Sequence, residues 1–74
     1  MNRTKRNSLA KARHLLESAV DIVSDVRDEE QDALDNMPEN LQSSDRCVEM
    51  EEAIDAMEDA ISSIEEASDR LSQI

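Results

Sequence analysis

Few residues in this chain are of a type that could carry out catalysis, and their spacing does not form a catalytic set. His14 is the single histidine, and it lies in a basic stretch with no second histidine or serine–aspartate pattern nearby. Cys47 is the single cysteine, and no histidine follows it to generate a thiolate. We therefore expect His14 to be solvated, Cys47 to be a small buried apolar side chain, and the protein not to be an enzyme.

Metal and cofactor chemistry are not indicated either. The sequence has no H-E-x-x-H, no C-x-x-C and no glycine-rich phosphate loop. Helical carboxylates bind Ca²⁺ or Mg²⁺ weakly unless a loop or facing helix completes the coordination shell, and no E-x-x-H pair of a di-iron bundle is present. The sequence predicts no catalytic residue, no cofactor and no metal ligand.

The carboxylates form two ladders at helical spacing. The first consists of Asp21, Asp25, Asp28, Glu29 and Asp32, and the second of Glu51, Glu52, Asp55, Glu58 and Asp59, continued by Glu65, Glu66 and Asp69. Such ladders are most often solvated faces that keep a small helical protein soluble. The alternative is nucleic-acid mimicry, because a duplex carries one negative charge per ~1.7 Å of axis and two acidic helices can imitate part of that field. In that case the first ten carboxylates are the partner-binding residues.

The charges are segregated along the chain. The net charge is −11, from 8 basic and 19 acidic residues, yet residues 1–14 contain five basic residues and no acid. Residues 15–74 therefore have a net charge of −16. Such a surface repels nucleic acid and anionic membranes and attracts basic partners. Because of this repulsion, we expect no direct binding of nucleic acid. We also expect no membrane association, because no apolar run is long enough for a signal peptide or a transmembrane helix.

The periodicity predicts two helices joined by a turn. We expect residues 1–6 to be a frayed basic tail, helices over about 7–35 and 44–72, and a turn over 36–43 in one domain, 1–74. Pro38 should end the first helix near Met37. Asn36 with Glu39 could cap a short turn, and Ser43 or Ser44 should cap the second helix.

A heptad repeat runs through residues 50–74 and predicts a helix that is buried along one seam. The first helix has a matching stripe in which Val26 and Ala33 belong to the seam and Glu30 interrupts it. An antiparallel hairpin should pair residues whose numbers sum to about 80, by its geometry. The predicted layers are Leu9/Leu71, Leu16/Ile64, Ala19/Ile61, Val23/Met57, Val26/Ile54 and Ala33/Cys47, with weak layers at Ala12/Ser68 and Glu30/Met50. Across the flanks, the same register predicts the ion pairs Arg13–Glu65 and Arg27–Glu51.

A chain of 74 residues with no aromatic residue and no glycine can build only a small aliphatic core. Oligomerisation commonly compensates when no disulfide framework or metal is available. The alanine row Ala53, Ala60 and Ala67 should leave Leu15 and Ile22 partly covered, and these five residues form the predicted oligomer interface. We expect an all-α, coiled-coil-like antiparallel hairpin that dimerises into a four-helix bundle. The alternative is a loose monomeric hairpin.

Residues 29–42, EEQDALDNMPENLQ, followed by MEEAI at residues 50–54, resemble a family of short acidic helical-hairpin proteins encoded by phages and prophages of Gram-positive bacteria. Members typically have an E-E-Q-x-A-[FL]-x-N-[LM]-P-E-x-L-Q turn and E-[ED]-A-I heptads. The resemblance covers roughly residues 25–70, and relatives often have Phe where Leu34 stands and Gly where Cys47 stands. It implies a phage protein in the cytoplasm of a bacterial host, with no catalytic residues.

Two functional hypotheses follow. The first is a non-enzymatic, dimeric acidic protein that binds and inhibits a basic nucleic-acid-binding host defence protein, such as a CRISPR effector, as a nucleic-acid mimic. The alternative is a structural or scaffold coiled-coil protein whose function is its helix–helix interface. The first depends on the carboxylates, whereas the second depends on apolar residues such as Ile22, Ile54 and Ile61.

Overall fold

The computed structural model describes residues 1–42 and 44–74. The chain forms two long helices, α1 (Arg3–Asp35) and α2 (Asp45–Ser72), with a short 3₁₀ turn (Glu39–Leu41) between them. The helices pack against each other as a hairpin that measures 60 × 14 × 12 Å. The predicted all-α helical hairpin is therefore confirmed. Within the described residues, neither helix has an apolar stretch long enough to cross a membrane.

The first helix begins at Arg3 and not at Asn7, so most of the predicted frayed tail is helical. Asn2 adopts an extended conformation and its side-chain Oδ1 accepts a hydrogen bond from the backbone N–H of Lys5 at 2.8 Å. The backbone N–H of Arg6 donates to the Asn2 carbonyl at 3.1 Å. Asparagine is among the best residues at this position because it satisfies a free N–H of the first turn. Composition alone suggested a tail, but the cap extends the helix to the basic residues.

The hairpin turn is built by caps on both sides. The side chain of Asn36 donates from Nδ2 to the carbonyl of Asp32 at 2.8 Å, so Asn36 caps the end of α1 and does not start the short turn as predicted. At the start of α2, Ser44 Oγ accepts a hydrogen bond from the N–H of Cys47 at 3.3 Å. Ser44 is therefore the cap, while the other candidate, Ser43, lies outside the described residues.

The core is a single row of side chains on α2. Its four buried members are Cys47, Met50, Ile54 and Ile61. Partly buried residues continue the row at the same spacing: Met57, Ile64, Ser68 and Leu71. The whole predicted seam of α2 therefore faces α1. Each of these four residues keeps between 3% and 9% of its surface exposed, so among the described residues the hairpin alone covers only four apolar side chains almost completely.

The seam of α1 follows the prediction up to Val23 and then departs from it. Val26 is 48% exposed and Ala33 is exposed, whereas Arg27 and Leu34 are partly buried in their place. The apolar stripe is wide enough for either row to face α2, and Leu34 buries more apolar area than Ala33. Arg27 can cover apolar surface with its aliphatic stem while its guanidinium stays in water. The predicted layers Val26/Ile54 and Ala33/Cys47 are therefore wrong.

The register is nevertheless close to the predicted sum of 80. Leu16 and Ile64 line one groove between the helices, Leu9 and Leu71 line a second, and Glu30 and Met50 line a third. The predicted cross-helix ion pairs do not form. Within residues 1–42 and 44–74, the three ion pairs are Arg27–Asp28, Arg70–Glu66 and His14–Glu17, each within one helix.

The two helices differ in how their charges suit the helix dipole. In α2, Asp45 lies in the first turn and Arg70 in the last, which is the favourable arrangement. In α1 the first turn has no acid and the last turn has no base; Arg3, Lys5 and Arg6 stand at its start and Asp35 at its end. Each charge that opposes the dipole costs about 0.3–1 kcal/mol at an exposed site. The charges at the two ends of α1 therefore destabilise this helix, and stabilisation of α1 is not the reason for their placement.

Candidate protein-binding surfaces

The two flanks of the seam carry different types of side chain. Successive residues are separated by about 100° around a helix, so the residue after a seam position and the residue before it lie on opposite flanks. Residues that follow seam positions are mostly acidic, such as Asp21 after Val20. Residues that precede seam positions are mostly apolar or small, such as Ile22 before Val23. The hairpin therefore has an acidic flank and an apolar flank.

The acidic flanks of the two helices lie on the same side of the hairpin. A groove of about 220 Å³ is lined by Glu17 and Asp21 from α1 and by Glu65 and Asp69 from α2. Its remaining lining comes from seam residues: Leu16, Val20, Ile64 and Ser68. We call this side of the hairpin the acidic face. Its members are Glu17, Asp21, Asp28 and Asp35 on α1, and Glu51, Asp55, Glu58, Glu65 and Asp69 on α2.

All ten carboxylates predicted to bind a partner are exposed. Five of them belong to the acidic face: Asp21, Asp28, Glu51, Asp55 and Glu58. Helical geometry directs four others away from the seam, Asp25, Asp32, Glu52 and Asp59, while Glu29 lies toward the opposite flank. Asp28 is held by Arg27 at 3.0 Å. Sequence reasoning treated each ladder as one surface and did not separate these directions.

The opposite flank carries the predicted oligomer interface. Leu15 and Ile22 are 64% and 65% exposed, so they are more open than the partial cover that the sequence predicted. Ala60 and Ala67 are exposed, and Ala53 is partly buried. Val26 joins this surface at 48% exposure. Sequence reasoning missed Val26 because it assigned that residue to the seam. We call Leu15, Ile22, Val26, Ala53, Ala60 and Ala67 the apolar face.

The end of the rod that is remote from the turn is basic. Arg6 and Arg13 line a groove of about 210 Å³ together with Leu9, Leu71 and Ile74. The Nε atom of Arg13 is buried without a hydrogen-bond partner among the described residues. His14 is 82% exposed and lies 3.7 Å from Glu17, as expected for a solvated side chain. These cations are placed at one end of the rod by the helix that starts at Arg3.

Cys47 is buried in the seam, where sequence reasoning placed it. Burial raises the pKa of the Cys47 thiol above its ordinary value of 9.0, and the carboxylate of Glu51 raises it further by charge repulsion and by accepting a hydrogen bond from the thiol at 3.6 Å. A raised pKa keeps the sulfur protonated at neutral pH, and the protonated thiol is the unreactive form. Cys47 therefore serves as a small core residue.

The acidic face carries many carboxylates without forming a cage. Across residues 1–42 and 44–74, no three histidine, cysteine or carboxylate side chains converge as metal ligands. The carboxylates instead point outward along two helices, which suits a long basic surface better than a point charge. The arrangement can therefore act through an extended electrostatic field.

No protein-family description, no curated protein and no solved structure matches this chain. The evidence for function therefore comes from the acidic face, the apolar face and the basic end of the hairpin.

Proposed function

We propose that this protein is a non-enzymatic interaction protein that binds a basic, nucleic-acid-binding protein through its acidic face and blocks the nucleic-acid site of that protein. The observation that carries the proposal is the continuous acidic face, in which Glu17 and Asp21 of α1 share a groove with Glu65 and Asp69 of α2. Neither helix alone would present carboxylates on both sides of one groove. Hairpin packing therefore creates a wider anionic surface than either sequence ladder.

The charge density of the rod supports mimicry of a nucleic acid. The facing segments 17–35 and 45–63 contain fifteen acids and two arginines, a net charge of −13. These segments are about 27 Å long, so the rod carries roughly one net negative charge per 2 Å, close to the ~1.7 Å of a DNA duplex. A groove that attracts duplex phosphates will attract this surface for the same electrostatic reason.

The setting that we propose follows from the resemblance at residues 29–42 and 50–54. It is a phage-encoded protein acting in the cytoplasm of its bacterial host, where the basic partner is a defence protein that handles nucleic acid, such as a CRISPR effector. Inhibition by occupancy requires no catalytic residue and no cofactor.

A matched pair of charge-reversal variants tests the acidic face. Variant D21K/D55K/E58K reverses three exposed carboxylates on that face, while E29K/E39K/E49K reverses three exposed carboxylates outside it. Both variants change the net charge by the same amount. Tagged proteins are used to capture partners from bacterial lysate, and the bound proteins are identified by mass spectrometry.

We expect the wild type and E29K/E39K/E49K to retain a nucleic-acid-binding protein that is released by high salt and by competing duplex DNA. We expect D21K/D55K/E58K to lose it and to lose inhibition of its activity. Retention of binding and inhibition by D21K/D55K/E58K would refute the mimicry.

A second candidate is supported by the apolar face. Leu15 and Ile22 are large, apolar and about two-thirds exposed on one flank of the hairpin. Such a stripe suits a homodimer in which two hairpins form a four-helix bundle, and in a scaffold protein this self-assembly is the whole function. A pure scaffold predicts tolerance of D21K/D55K/E58K and loss of function on Ile22→Ala, measured alongside mass by analytical ultracentrifugation.

A further inference from the structure

The rod is electrically asymmetric along its length. The end formed by residues 1–14 and 66–74 contains six basic and two acidic side chains, a net charge of +4. The turn end, residues 28–52, contains ten acids and one arginine, a net charge of −9. Two such rods side by side attract each other when the basic end of one meets the turn end of the other. They repel at both ends when they lie parallel.

The same asymmetry opposes the dipole of α1. Arg3, Lys5 and Arg6 surround its positive N-terminus, and Asp32 and Asp35 surround its negative C-terminus. Helix α2 has the favourable arrangement, so the pattern is specific to α1. Opposite charges supplied by another chain would offset the unfavourable interactions at both ends of α1 at once. An antiparallel copy supplies acids at the basic end and bases at the acidic end.

The apolar face gives the second copy a place to dock. It lies on one flank, with Leu15, Ile22 and Val26 exposed by 64%, 65% and 48%. The six residues of the apolar face extend over about 20 Å in the middle of the 60 Å rod, so an interface of the standard ~800 Å² per partner must also include the polar residues toward both ends. A second chain that runs along the whole rod covers both, and the antiparallel orientation aligns the full length without repulsion between like-charged ends.

We infer that two copies pack their apolar faces together in antiparallel orientation, with the two-fold axis near Ile22 and the basic end of each copy against the turn end of the other. This inference rests on the homodimer of the proposed function and adds its orientation and its charge contacts. It also gives the basic segment of α1 a role. Both acidic faces stay on the outside of the dimer, so that the assembly presents two partner-binding surfaces.

Distances between spin labels in the full-length protein distinguish the orientations. A single cysteine is placed at Asn7 in a Cys47→Ala background, because Asn7 is exposed and points away from the seam. Asn7 is fifteen residues from Ile22, so an antiparallel dimer separates the two labels by about 45 Å along the rod. A parallel dimer brings them within roughly 25 Å, because both labels then lie at the same height on helices packed side by side.

Pulsed electron–electron double resonance on the labelled protein supplies the test. A main distance near 45 Å supports the antiparallel dimer. A main distance below roughly 25 Å overturns it. A monomeric mass in analytical ultracentrifugation of the unlabelled wild type, at concentrations up to those used for the distance measurement, also overturns it.

A second pair of variants tests the charge contacts. K11Q removes one positive charge at an exposed site of the basic end, four residues before Leu15 on the same side of α1, and S62E adds one negative charge at an exposed site on the acidic flank, so that both lower the net charge by one. We expect K11Q to raise the dimer dissociation constant about threefold, and S62E to raise it much less. Equal effects of the two variants would show that total charge, and not the basic end, controls association.

The outcome is separable from that of the proposed function. Self-association is measured without a partner, whereas partner capture is measured with the acidic-face variants. A monomer that still captures a basic protein through the acidic face refutes only the dimer. An antiparallel dimer that captures none refutes only the mimicry.

Discussion

Arg27 places its guanidinium 3.0 Å from the carboxylate of Asp28, its immediate neighbour on α1, and not against Glu51 across the hairpin. The Arg27 side chain is 31% exposed, which agrees with a stem that packs at the seam while the charged group stays near the surface. Register alone had placed Arg27 opposite Glu51. The charged group therefore pairs with the nearest carboxylate, and among the described residues no ion pair joins the two helices.

The first prediction concerns this pair. A double-mutant cycle with Arg27→Gln and Glu51→Gln should give a coupling free energy near zero, because no cross-helix ion pair joins the two residues. The cycle with Arg27→Gln and Asp28→Asn should give a small favourable coupling, of at most about 1 kcal/mol for an exposed pair. Urea denaturation followed by circular dichroism measures both. A larger coupling for Glu51 than for Asp28 would contradict the observed geometry.

The second prediction concerns Glu30, which is partly buried in the seam and shares a groove with Met50. Replacing Glu30 by Leu should raise the free energy of unfolding by about 1 kcal/mol, because the new side chain adds apolar burial in the core row. Glu29→Leu is the matched control, since Glu29 is exposed and carries the same charge at the same end of α1. That control should change stability by less than about 0.5 kcal/mol. Equal effects in denaturation would show that charge removal, and not burial, is responsible.

The third prediction concerns alkaline pH. Burial and Glu51 raise the pKa of the Cys47 thiol in the folded protein above 9.0, so the unfolded chain loses this proton first as pH rises. The free energy of unfolding should therefore fall as pH increases above about 9, and the fall should end once the pH exceeds the folded pKa. Cys47→Ala should lack this component of the decline. Glu51→Gln should lower the pKa of the thiol, which ultraviolet thiolate absorbance can follow; an unchanged thiol titration would contradict the contact with Glu51.

The fourth prediction concerns the start of α1. Asn2→Ala removes the acceptor for the N–H of Lys5 and should destabilise the first turn by about 1 kcal/mol. Amide hydrogen exchange should then become faster at Lys5 and Arg6. Asn7→Ala is the control, because Asn7 lies inside the helix with an exposed side chain. Exchange at Lys5 that is unchanged by Asn2→Ala would show that the cap does not hold this turn.

Much of the fold was predictable from local rules. The heptad spacing from Met50 to Leu71 determined which side of α2 is buried, because large apolar residues at that spacing can be covered only by a neighbouring helix. Pro38 determined that α1 ends before it, since the residue before proline disfavours the helical conformation. The turn length then set the antiparallel register, which places Leu16 beside Ile64.

The candidate surfaces were predictable only in part. The sequence identified the exposed carboxylates and the residues Leu15 and Ile22, because charge and apolar character are properties of single side chains. It did not separate the acidic face from the carboxylates that point elsewhere, and it placed Val26 in the core. The separation of the carboxylates depends on how the two helices pack together, and the exposure of Val26 depends on which of two neighbouring apolar rows of α1 turns toward α2.

The sequence by itself therefore determined two amphipathic helices, their turn and their charge segregation, because these follow from spacing and composition along the chain. Tertiary structure decided the rotation of α1 about its axis. Burial favours Leu34 over Ala33, and that rotation in the second half of α1 exposes Val26, while the packing of the two helices places Glu17 and Asp21 in the same groove as Glu65 and Asp69. Which of the two rows faces α2 depends on the total apolar area that many side chains of both helices bury together. That total cannot be read from any single stretch of sequence.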